Sequence, residues 1–323
     1  MKKTFIVLVM LSFVLVACAN GGEQFRQDQP FIGGNAAVNL YLQNGMPPPT
    51  VFDGGDNPFG IGVVMENIGE ADIGPGTENP FFQLRLEGLL PENFGLTDSD
   101  VIQEPSRLVR GSQKNFDGTI IPGEAFNAIF SPLNFQRILQ GNQVHGFRVS
   151  ACYDYTNRAT AVLCMKDDVM ENVQDSTLCT LTGPKPVANS GGPIHVTSVR
   201  QNPMEANKIQ VNIQISHVGT GEFFGRTADE TCNTGQTNMN RHNVHVEIET
   251  DDPNAIISCN MLDGGSSGTI RMFGGSPQLL SCTVQGPESA ARIYQTGLDV
   301  TLQYRYGEFI EDRFIVMSAP RAN

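Results

Sequence analysis

The sequence predicts an all-β protein built as two tandem antiparallel β-sandwiches, and three observations carry that reading. Apolar residues recur at period two along most of the chain, as in Ile209-Gln-Val211-Asn-Ile213-Gln-Ile215, the pattern of a half-buried strand. Gly (34) and Pro (19) together make up roughly one residue in six of 323, while charged residues are only 17%, so turns are frequent. Segment 59–69 matches 209–219 at an offset of 150, and 147–155 matches 298–306 at 151. Two matches at nearly one offset point to a duplicated unit.

In the first unit, 34–183, alternation places strands at 37–43, 59–67, 81–87, 106–110, 124–130, 146–155 and 159–165. In the second, 192–320, it places them at 194–200, 208–217, 243–249, 255–260, 268–273, 279–284, 297–306 and 309–317. The runs are separated by Gly, Pro, Asn and Asp, which accept turn conformations. Seven or eight short strands per unit suit a sandwich. Residues 184–191 read as the linker, 134–140 and 167–174 as the only short helices, and 263–268 as a hairpin loop.

The amino-terminal stretch MKKTFIVLVMLSFVLVAC has two lysines, an apolar run at 5–16 and a small residue before Cys18. This is the layout of a secretory signal, and the run is too short for a comfortable membrane span. Leu15-Val16-Ala17-Cys18 resembles a prokaryotic lipobox. The resemblance implies cleavage before Cys18, lipidation of that residue, and membrane lipid as a partner. Residues 18–33, polar and rich in Gly and Gln, read as a flexible tether. Loss of Lys2 and Lys3 with the signal takes the charge from −13 to −15. No basic cluster remains to hold phosphates, so nucleic acid is not an expected partner.

Six further cysteines are left: Cys152, Cys164, Cys179, Cys232, Cys259 and Cys282. An even number in an exported chain reads as disulfides. Cys259–Cys282 is the expected pair within the second unit. A hairpin turning at Asn157-Arg158-Ala159 would pair Cys152 with Cys164, leaving Cys179–Cys232 to join the units. The alternative is Cys164–Cys179, which leaves Cys152 over.

The segments Gly62-Val-Val-Met-Glu66-Asn67-Ile-Gly69 and Gly118-Thr-Ile-Ile121-Pro122-Gly123-Glu124-Ala-Phe126 resemble CARDB-type and related immunoglobulin-like modules of prokaryotic surface proteins. The shared pattern is a strand ending in Asn-x-Gly and a Pro-Gly-Glu turn, where Pro-Gly suits the centre of a type II turn. The resemblance implies immunoglobulin-like sandwiches in adhesive, spacer or assembly roles. The second unit keeps only Val218-Gly219, with His217 in place of Asn.

Residues that could carry chemistry are few. Asp53, Asp56 and Asn57 lie on a Gly-rich loop and are weak calcium candidates, since calcium takes six to eight oxygens. His242 and His245 face opposite sides of a strand and do not chelate one metal there. No other metal site, no cofactor and no catalytic residue is expected. The expected function is a non-enzymatic binding, adhesion or spacer module, lipid-anchored at a prokaryotic membrane or cell surface, with an extracellular partner. The alternatives are a pilus-like or surface-layer subunit that oligomerises through edge strands, with 37–42 as a donor strand, and a secreted hydrolase.

Overall fold

A computed structural model describes residues 29–167, 179–227, 232, 239–287 and 293–320. Residues Phe31–Asn323 form one compact unit. The first half supplies β1 (Val38–Leu42), β2 (Thr50–Phe52), β3 (Phe59–Asn67), β4 (Phe82–Glu87), β5 (Ile102–Gln103), β6 (Gln113–Lys114), β7 (Ile120–Ile121), β8 (Ala125–Leu133) and β9 (Gln143–Lys166). Two short strands follow, β10 (Gly183–Lys185) and β11 (Val187–Asn189). The second half supplies β12 (Ile194–Glu205), β13 (Lys208–His217), β14 (Glu222–Phe224), β15 (Asn243–Thr250), β16 (Ile256–Cys259), β17 (Ser267–Arg271), β18 (Gln278–Gln285) and β19 (Ile293–Met317).

The fold is an antiparallel all-β sandwich. One small sheet has the order β1-β3-β8 and a second β10-β12-β13-β18-β16. The central sheet runs β17-β15-β19-β9-β4-β5, with β2, β11 and β14 joined to it. Its spine is β9 against β19, paired without interruption from Gln143↔Val316 to Lys166↔Ile293. The two halves therefore share a sheet and one continuous apolar core.

Each spine strand was expected as two strands with a turn between them. The turn at Asn157 does not form because its side chain is buried in the sheet and donates from Nδ2 to Ser190 O at 2.9 Å. At the other break, Gly307 stays in register opposite Cys152. A Cβ there would lie 2.8 Å from that of Cys232, so this glycine serves close packing rather than a turn.

Other expectations are corrected by the pairing. The segment 184–191, read as linker, instead joins two sheets: β10 pairs with β12 and β11 with β9. Residues 106–110 form no strand, and Val109 makes only an isolated bridge to Ile73. Residues 134–140 are not helical, and the helix expected at 167–174 lies outside the described residues beyond Asp167. The loop at 263–268 links β16 to β17, which belong to different sheets, so it crosses between layers rather than closing a hairpin. The proposed donor strand is already paired with β3, Val38 opposite Asn67. Gly123 does not have the positive φ of a type II turn; it is needed because a Cβ would lie 1.9 Å from Asn67 O.

Three disulfides close the structure. Cys259–Cys282 forms as expected, between directly opposed residues of β16 and β18. Of the other two, Cys164–Cys179 is the alternative pairing, while the expected Cys152–Cys164 and Cys179–Cys232 do not form and Cys152 is not left over. Cys152 and Cys164 lie on one unbroken strand, about 40 Å apart at the usual rise, and cannot meet. Cys164 pairs with Cys179, and Cys152 with Cys232 across a separation of 80 residues. Three bridges place the chain in an oxidising compartment. Among the described residues no helix is long and apolar enough to cross a membrane.

Candidate functional site

The register of the spine builds the centre of the molecule. Tyr155 faces Tyr304, and Tyr153 faces Tyr306. Side chains two apart on a strand share a face, as do directly opposed partners. All four rings therefore meet on one side, buried, with neighbouring centroids 6.0 to 6.3 Å apart.

Their hydroxyls reach outward to four different anchors. Tyr155 accepts from Glu70 N at 3.0 Å and Ala71 N at 3.3 Å, and donates to Gly191 O at 2.7 Å. Tyr306 accepts from Gly221 N at 2.6 Å and meets His217 Nε2 at 3.1 Å. Tyr304 donates to Asn157 Oδ1, and Tyr153 to Glu308 Oε1 at 2.8 Å. Burial pushes the Glu308 carboxyl up to about 7, against the opposing pull of the Tyr153 hydroxyl.

The first two anchors repeat. Gly69 follows β3 and Gly219 follows β13. A Cβ on Gly69 would lie 1.9 Å from the Tyr155 hydroxyl, and one on Gly219 would lie 2.4 Å from that of Tyr306. In both corners the two amides after the strand bond back to one carbonyl, Ala37 O in the first and Pro193 O in the second. The sequence repeat thus corresponds to a repeated Gly–Tyr corner, each tying a small sheet to the same face of the spine.

Glu70 makes the first corner a junction. Its carboxylate accepts from Ile32 N at 2.9 Å, Gly33 N at 3.0 Å and Gly191 N at 2.6 Å. One side chain thereby fixes where the chain enters the body and where the second half begins. Backbone donors to a carboxylate are among the stronger protein hydrogen bonds.

On the opposite face of the spine, Asp154 and Arg305 pair at 2.8 Å, both 4% exposed. The Arg305 guanidinium lies 3.8 Å from the Phe81 ring centroid. Arg226 donates to Tyr155 O at 2.6 Å, Thr156 Oγ1 at 2.9 Å, Glu78 O at 3.0 Å and Tyr304 O at 3.2 Å. Phe81, Asp154, Arg226 and Arg305 line a cleft of 430 Å³ with Pro80 and Thr227. The guanidinium of Arg226 braces β9, β19 and the 78–79 loop together, which is a structural use of its donors.

A larger cleft, 660 Å³, lies toward the other end of the spine between Glu87, Arg148, Glu311 and Arg313. Arg148 pairs there with Glu311 at 2.8 Å through Nε and lies 3.9 Å from the Phe309 ring centroid. Exposed pairs of this kind contribute little to stability.

The sequence-predicted site residues are dispersed. Cys18 lies outside the described residues. Asp53 is buried and accepts from Leu139 N at 2.6 Å and Ala319 N at 2.7 Å, so it anchors backbone. Asp56 and Asn57 are exposed. Among the described residues no three His, Cys, Asp or Glu side chains gather to hold a metal. His242 meets Glu222 at 3.1 Å, whereas His245 meets Ser267 at 3.2 Å. Sequence reading missed Glu70, Arg226 and Glu308 because their partners are distant in the chain. The one usable signal was the tyrosine pair repeated in each half. No family model matches the sequence, and no curated protein matches it.

Proposed function

We propose that the chain is an exported surface lipoprotein, held by Cys18, whose body is a non-enzymatic binding or spacer module made by duplication of an immunoglobulin-like unit. The observation that carries this reading is how the interior polar groups are used. Glu70, Asp154, Arg226 and Arg305 all bond to the chain itself and join its halves. The lipobox-like Leu15-Val16-Ala17-Cys18 and the short apolar run before it support the anchor, and two or three acyl chains hold a protein firmly at a membrane. Expressed in a bacterial host that processes lipoproteins, the protein should partition into detergent and carry an acylated amino-terminal peptide by mass spectrometry. Cys18→Ser should move it to the aqueous phase. Detergent partitioning of that variant equal to that of the parent protein would overturn the anchor.

A further inference from the structure

We propose that the β6–β7 hairpin is a second membrane contact, a rigid apolar finger that rests in the headgroup region of the bilayer to which Cys18 holds the protein; this rests on the lipid-anchor reading. The hairpin carries Phe116 at its tip, fully exposed at 114%, flanked by Ile120 (56%) and Ile121 (48%). Three large apolar side chains on one protruding element are not the ordinary scatter of a soluble surface.

The finger is preorganised. Gln113 pairs with Ile121 and Lys114 with Ile120. Asn115 N donates to Thr119 O at 2.8 Å, and Gly118 N to Asn115 O at 2.9 Å. Asp117 Oδ1 accepts from Thr119 N at 3.0 Å and Thr119 Oγ1 at 2.7 Å. The tip therefore offers its phenyl ring with little further ordering to lose on binding.

Its position selects the bilayer as occupant. Both arms root on the first Gly–Tyr corner: on the incoming arm Ser112 N donates to Gly69 O at 2.6 Å, and on the outgoing arm Glu124 O accepts from Asn67 N at 2.9 Å. The next residue, Glu70, holds Ile32 and Gly33, so the chain arriving from Cys18 enters at the root of the finger. The 13 residues 18–30 reach at most about 45 Å, and the hairpin projects about 15 Å from its root. A body anchored on that leash keeps Phe116 within reach of the lipid. With a net charge of −15 after loss of Lys2 and Lys3, the contact is apolar rather than an attraction to anionic lipid.

The chain contains no Trp, so Phe116→Trp supplies a single fluorescent reporter at the tip. That variant, lipidated and reconstituted in phosphatidylcholine vesicles, should show blue-shifted indole emission, quenched at least twofold by lipid brominated near the headgroup. Val144→Trp, on β9 about 36 Å along the strand from Tyr155, should remain solvent-like. Flotation of the vesicles reports the anchor separately. Solvent-like emission from the Phe116→Trp variant in protein that floats would overturn the finger and leave the anchor standing. A blue shift that grows with protein concentration without vesicles would overturn it in favour of docking to a second copy. If the protein does not float, the Cys18→Ser form decides: Phe116→Ser/Ile120→Ser/Ile121→Ser should lower its sedimentation with phosphatidylcholine vesicles about tenfold, and equal sedimentation would refute the proposal.

Discussion

The corner at Gly69 is closed by backbone and one hydroxyl, whereas the matching corner at Gly219 also includes an imidazole. Asn67, which precedes the first corner, sends Nδ2 to Ala71 O at 2.9 Å and Val109 O at 3.0 Å and leaves the Tyr155 hydroxyl to the main chain. His217, at the equivalent place, turns toward Tyr306 instead. The geometry is thus carried by glycine and tyrosine together, and the residue two before the glycine decides whether a titratable side chain joins the corner. The halves differ in covalent support as well. The first-half spine strand, β9, is stapled at Cys152 and Cys164; its partner β19 has no cysteine.

Four tests sharpen that comparison, from the largest effect to the smallest. Removing Cys152–Cys232 as a double alanine variant should cost about 4 kcal/mol, and removing Cys164–Cys179 about 3, because the first closes the longer loop. Calorimetry on both variants checks the order; equal losses would mean that loop length does not govern. Next, Gly69→Ala should cost about 3 kcal/mol by overpacking. Tyr155→Phe should recover part of that loss, because the hydroxyl is the nearest obstacle. At the second corner Tyr306→Phe should not rescue Gly219→Ala, since Pro193 Cβ still lies 2.5 Å from the added methyl. Urea titration of both double-mutant cycles measures the two couplings.

The third test is the pH response near the tyrosines. Glu308 has its folded pKa raised to about 7, so its contribution is complete below the ordinary carboxylate range and is lost as the pH rises toward and through 7. Glu308→Gln should flatten that decline, by about 2 kcal/mol between pH 4 and 8. The fourth concerns His217, which has the opposite sense: burial lowers its pKa, against the pull of Glu222. Its contribution is present above about 6.5 and fades as the pH falls. His217→Asn, which copies the first corner, should remove part of the acid sensitivity, the smallest of the four effects. Unchanged acid melting curves would separate the imidazole from the corner's stability.

Much of this architecture was legible where it depends on local pattern. The strands at 59–67 and 208–217 were read with the bounds they have, because strict alternation ends at turn residues. The corner glycines and the tyrosine pairs were visible as a repeat before their contact was known. What failed were positions whose local preference is overruled by packing. Asn157 and Gly307 look like turns and lie within continuous strands, one bonding to Ser190 and the other giving room to Cys232. The pairing of Cys152 followed from that error, since a hairpin brings together residues that one strand holds apart. Glu70 was illegible for another reason: its partners Ile32, Gly33 and Gly191 are 37 to 121 residues away, and nothing local marks a carboxylate that will receive them.

The Glu70 junction also decides how the protein carries load. A pull on the chain ahead of Phe31 does not first peel β1 from its sheet, because Ile32 N and Gly33 N are held by a carboxylate bonded at the same time to Gly191 N. Tension is passed to the start of the second half and, through the Tyr155 hydroxyl on Gly191 O, to the middle of the spine. There it meets 24 opposed residue pairs, whose hydrogen bonds share the force. The molecule resists traction at its best-braced point, and its first mechanical weakness is a single side chain that Glu70→Gln would alter without touching the fold's core.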